Sequence, residues 1–100
     1  MTTAQLLIDE LRARHQTIAF CESLTAGLVS ATLADVPGAS DVLVGGLVTY
    51  SPELKTALAD VPEELIEREG VVSAAVAREM ARGARRVCGS DWAVALTGVA

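Results

Sequence analysis

The run Ile18-Ala19-Phe20-Cys21 places four apolar residues in succession with no polar alternation. A strand formed there has no face to offer to water, so it must be central in a sheet with helices packed on both sides. That requirement points to alternating helix and strand. The rest of the chain has this alternation. Ala4, Leu7, Ile8 and Leu11 recur at helical spacing within Thr3 to Arg14, with Asp9, Glu10, Arg12 and Arg14 off the stripe. The strand region, Thr17 to Glu22, is followed by an Ala- and Leu-rich stretch, Thr25 to Asp35, stopped by Pro37-Gly38 and read as a helix. Either Ser23 or Thr25 is placed to cap it.

Asp41 to Tyr50 is β-branched and apolar, interrupted by Gly45-Gly46, which predicts a second strand with a bulge or a close backbone approach. Ser51-Pro52-Glu53 supplies a cap, a proline at the first helical position and an acid in the first turn of a helix carrying Leu54, Lys55 and Leu58. Pro62-Glu63-Glu64 opens a short helix ending near Gly70, its acids on a solvated face at the positive end of the helix dipole. Ser73 to Cys88 aligns Val76, Met80, Ala84 and Val87 on one face, with Arg82, Arg85 and Arg86 complementing the dipole in the last turns. Asp91 to Leu96 is a third buried strand, with Trp92 expected to anchor the core and Thr97-Gly98 as a turn. His15 is expected to cap the carbonyl end of the first helix.

The fold class is therefore α/β: a layered helix/sheet/helix domain with a largely parallel or mixed central sheet. Three strands are fewer than the five or six of a common sheet, and the chain stops directly after the third, so the domain reads as C-terminally truncated and its apolar sheet as seeking cover in a homo-oligomer. A hydrophobic fraction of 51% with 21% charged residues excludes disorder. A net charge of −5 and only three aromatics, Phe20, Tyr50 and Trp92, argue against nucleic acid as a partner. No apolar run reaches the roughly 18 residues a bilayer requires, and Asp9 and Glu10 interrupt any signal-like stretch, so no membrane partner and a cytoplasmic location are expected. Cys21 and Cys88, with one histidine in the chain, are too few for a zinc site and read as reduced core thiols. No metal and no cofactor are expected.

In open α/β sheets ligands sit beyond the strands' carboxyl ends. Those ends read Cys21-Glu22-Ser23-Leu24-Thr25-Ala26-Gly27, then Thr49-Tyr50-Ser51-Pro52-Glu53-Leu54-Lys55, then Leu96-Thr97-Gly98. A serine hydroxyl needs a base, and a lysine whose pKa burial has lowered can serve, which makes Ser23 and Lys55 a candidate pair. The plainer reading makes the serine a helix cap and the lysine a surface residue.

The runs CESLTAGLVSATLADVPGAS, GGLVTYSPELK, GVVSAAVAREMARGAR and DWAVALTGVA occur in that order from about Gln5 to Ala100. Together they resemble the C-terminal domain of the CinA family, nicotinamide-nucleotide amidases. The resemblance implies a domain spanning residues 1–100 that is the N-terminal part of such an amidase. It implies hydrolysis of the carboxamide of nicotinamide mononucleotide to nicotinic acid mononucleotide and ammonia, a step in pyridine nucleotide salvage, with a small-molecule nucleotide as the partner. It also implies Ser23 as nucleophile, Lys55 as base, and Tyr50 and Thr97 as further catalytic positions. Glu22, Thr25, Gly27, Gly45, Gly46 and Gly98 are the expected substrate-binding positions. Where the family signature reads ESCTGG, this chain has Leu24 for the cysteine and Ala26 for the first glycine, and the family's active-site arginine lies beyond Ala100. A catalytically impaired nucleotide-binding or regulatory module of the same fold is the competing expectation.

Overall fold

The computed structural model describes residues 1–99. Its elements run α1 (Thr3–Arg14), β1 (Ile18–Glu22), α2 (Leu28–Ala34), a 3-10 turn (Ala39–Asp41), β2 (Leu43–Val48), α3 (Pro52–Ala59), α4 (Glu63–Glu69), α5 (Ala74–Cys88) and β3 (Trp92–Leu96). The three strands form one all-parallel sheet in the order β2-β1-β3. β1 is the middle strand, and all five of its residues are buried, as its uninterrupted apolar run requires.

Successive β1 side chains divide the interior in two. Ile18 and Phe20 join Ile8, Leu11, Leu33, Ala39 and Val42 on the side of α1 and α2. Cys21 faces Val76, Met80 and Ala84 of α5, with Ala59 and Val61 behind them. Two caps set the frame: the Thr2 hydroxyl accepts from the Gln5 amide at 3.1 Å, and the Ser73 hydroxyl accepts from the Val76 amide at 3.2 Å. His15 ends α1 through its backbone, at φ 55, its amide reaching the Arg12 carbonyl. The helix α5 carries Gly83 where α3 crosses it, because a Cβ there would collide with the Ala59 carbonyl.

Several expectations need correcting. α2 begins at Leu28, not Thr25, and neither Ser23 nor Thr25 caps it; its N-cap is Gly27 at φ 100. The extra residue of β2 is Val44, just before the glycine pair, since Ile18 pairs with Leu43 and Ala19 with Gly45. Trp92 is 51% exposed, its ring N–H donating to the Gln16 side chain at 3.0 Å, because β3 is an edge strand and α1 does not cover its start. Val87 is likewise exposed at the outer end of α5, and Gly83 takes a buried place on that helix. Cys88 is only half-buried, although both cysteines are free thiols.

Candidate active site

The site lies at the carboxyl ends of β1 and β2. The β1 ladder continues one step past the strand: the Ser23 amide donates to the Leu96 carbonyl at 2.9 Å, and the Thr49 amide donates to the Glu22 carbonyl at 2.8 Å. These bonds set Ser23 and Thr49 at adjoining strand ends. Ser51-Pro52 then turns the chain into α3, whose first turn presents Lys55 back to the sheet.

Lys55 is completely buried. Its Nζ lies 3.0 Å from Ser23 Oγ and 2.8 Å from the Thr49 carbonyl oxygen, and among the described residues it forms no ion pair with a carboxylate. Burial lowers its pKa, opposed by the nearby Cys21. The carbonyl can only accept, so it takes one N–H of Lys55, while Nζ donates another to Ser23 Oγ. A buried lysine with this geometry is not a surface lysine, and Ser23, itself 4% exposed, is not a helix cap. Cys21 lies beneath, its Sγ 3.5 Å from Thr49 Oγ1; burial pushes its thiol pKa up and keeps it out of competition as a nucleophile.

Glu22, the residue before the serine, is 1% exposed, and its carboxylate reaches the start of α2. Oε1 accepts from the Gly27 and Val29 amides at 3.2 and 2.9 Å, and Oε2 accepts from the Ser30 amide and hydroxyl at 2.9 and 2.6 Å. Burial alone would raise its pKa, but the Ser30 and Thr25 hydroxyls and the Ser30 and Val29 amides outweigh it and bring the value down to about 2. Between Glu22 and α2, Ala26 is held at φ 51, a conformation that costs an alanine what it would not cost a glycine.

The other expected site residues disperse. Tyr50 follows Thr49 and is 57% exposed. The Thr97 hydroxyl donates to the Val71 carbonyl at 3.0 Å. Thr25 Oγ1 is buried and makes no close hydrogen bond among the described residues, although its hydroxyl helps to lower the Glu22 pKa. Gly98 leaves room for Leu24, whose Cδ1 would be 3.0 Å from a Cβ added there. Gly45 and Gly46 are mid-strand and serve packing: Gly45 faces Cys88, and a Cβ on Gly46 would sit 2.7 Å from the Ser30 hydroxyl of α2. The Thr49 carbonyl escaped the sequence reading because a main-chain acceptor leaves no signature in side-chain identity. Glu22 left one: an acid followed at i+8 by Ser30 in the opening turn of a helix.

An all-parallel α/β sheet with a buried serine–lysine pair beyond its central strand defines the class. The chain matches the family model described as the CinA C-terminal domain over residues 1–100 and belongs to that family. It is 53% identical over 97 residues to a CinA-like protein of Synechococcus sp. (strain RCC307), covering 97% of this chain and 23% of that one. The crystal structure of the competence/damage inducible protein CihA from Agrobacterium tumefaciens superposes with a TM-score of 0.93 at 32% identity, over 96% of this chain and 58% of that chain. A competence-damaged protein (CinA) superfamily protein from Escherichia coli superposes with a TM-score of 0.93 at 29% identity, over 95% and 55%. The chain thus spans about a quarter of the curated relatives it matches and a little over half of the solved ones.

Proposed function

We propose that this domain is an amidohydrolase acting by a Ser–Lys mechanism, with nicotinamide mononucleotide as substrate. The observation that carries the reading is the 3.0 Å contact between Ser23 Oγ and the fully buried Lys55 Nζ. Neutral Lys55 takes the serine proton as Oγ bonds to the carboxamide carbon, giving a tetrahedral oxyanion. The C–N bond then breaks, and Lys55 returns the proton to the leaving nitrogen, which departs as ammonia. Water, deprotonated by the same amine, attacks the acyl ester; Ser23 is released with its proton and nicotinic acid mononucleotide leaves. The amides of Leu24 and Thr25 donate to no acceptor among the described residues, leaving two donors directly after the nucleophile for the oxyanion. Tyr50, exposed directly after Thr49, is left to orient the substrate, whereas the Thr97 hydroxyl is spent on the Val71 carbonyl. The reaction calls for no metal or cofactor and belongs in the cytoplasm. The exposed Trp92 and Val94 of β3 favour a homo-oligomer.

The test is ammonia release from nicotinamide mononucleotide by the full-length chain and its variants. Ser23→Ala and Lys55→Ala each lose at least about a thousandfold in kcat, and the double variant loses no more, because nucleophile and base act as one unit. Turnover at the native rate by Ser23→Ala refutes the mechanism.

A further inference from the structure

The loop from Ser23 to Gly27 is fastened at both ends. At the front, the Ser23 amide is bound to the Leu96 carbonyl. At the back, the Gly27 amide returns to the carboxylate of Glu22, so residues 22 to 27 close into a ring across the side chain that precedes the nucleophile. A third bond, Ala26 amide to Ser23 carbonyl at 3.0 Å, crosses that ring. Two consecutive left-handed residues, Ala26 and Gly27, are needed to close it, and isolated chains rarely hold an alanine that way. Something must hold the loop in this shape, and the four hydrogen bonds to Glu22 are the strongest restraint in reach, since charged acceptors bind more tightly than neutral ones.

Full use of both carboxylate oxygens leaves none for a substrate, so the expected ligand contact from Glu22 is replaced by a different task. We propose that Glu22 is a positioning residue for the nucleophile: its carboxylate clamps the Ser23–Gly27 loop to the start of α2, which holds Ser23 Oγ on Lys55 and keeps the Leu24 and Thr25 amides free for the oxyanion. This rests on the Ser–Lys reading. Lys55 is held separately, by α3 and by the Thr49 carbonyl, so loosening the clamp displaces the nucleophile and leaves the base where it is.

That separation gives the test. A fluorophosphonate probe, which phosphonylates the activated serine hydroxyl with loss of fluoride and needs no substrate specificity, is reacted with the full-length chain and its Glu22→Gln, Ser30→Ala and Ser23→Ala variants, each well below its unfolding temperature. Glu22→Gln should lower the rate of Ser23 labelling tenfold or more without moving the pH inflection set by Lys55. Ser30→Ala removes one donor of four and should cost less than threefold. A residue that only held the fold together would leave the labelling rate of the folded fraction unchanged. Labelling of folded Glu22→Gln at the wild-type rate therefore overturns the proposal while the Ser–Lys reading stands. A displaced pH inflection also overturns it, because the base has then moved too. A wild-type chain that does not label at Ser23 overturns the Ser–Lys reading, and this role with it.

Discussion

Replacing Glu22 by glutamine should make the stability of this domain depend on pH in a way that isolates a single carboxyl group. The pKa of Glu22 falls from 4.5 to about 2 on folding, despite burial that opposes the change. At about 1.4 kcal/mol for each tenfold change in proton affinity, this corresponds to about 3 kcal/mol of stabilisation with the carboxylate ionised. The folded pKa is depressed, so the contribution is complete above 4.5 and disappears as pH falls through about 2. Glutamine mimics the neutral acid and turns an NH2 toward groups that are themselves donors, the Ser30 amide and hydroxyl or the Gly27 and Val29 amides. At pH 7 the variant should thus be about 3 kcal/mol less stable, a large share of the roughly 5–15 kcal/mol typical of a small domain. Urea unfolding of both proteins from pH 7 to pH 2 measures it. The gap between the two curves should be constant down to pH 5 and close progressively toward pH 2, since the other twelve acids are common to both. A gap that stays constant to pH 2, or one below about 1 kcal/mol at pH 7, refutes the reasoning.

Turnover should rise with pH through the lowered pKa of Lys55, with its inflection below 10.5, because only the neutral amine takes the serine proton; a kcat profile without an inflection below that value counts against lysine as the base. Ala26→Gly should raise stability by about 1 kcal/mol, as release of the left-handed strain outweighs the extra freedom glycine brings to the unfolded chain, and thermal unfolding reads the sign. Gly83→Ala should cost about 3 kcal/mol or more, because the new methyl meets the Ala59 backbone, which has no soft side chain to yield; an unchanged unfolding midpoint would mean α3 and α5 do not cross as described.

Much of the architecture is legible in the sequence. The apolar run of β1 demanded a doubly covered central strand, the Ser51-Pro52-Glu53 signal started α3 at Pro52, and the stripe of α1 buried Ile8 and Leu11 as its spacing required. Local patterning succeeds there because burial on two faces and helix initiation are set by neighbours in the chain. It failed at Trp92, where an apolar residue type says nothing about whether its strand lies at the sheet's edge, and at the start of α2, where the cap comes from Glu22, outside the helix.

The candidate site divides along the same line. Residue types and motif order singled out Ser23 and Lys55, 32 positions apart, since a hydroxyl and an amine at successive strand ends are chemistry written in side-chain identity. What turned them into a pair was long-range: parallel pairing that sets β1 beside β2, a main-chain carbonyl at Thr49 that orients the amine, and the removal of water that lowers its pKa. Desolvation and main-chain acceptors depend on which segments meet in space, so only the tertiary structure could decide that this lysine is buried and that the glutamate beside the serine serves the loop and not a ligand.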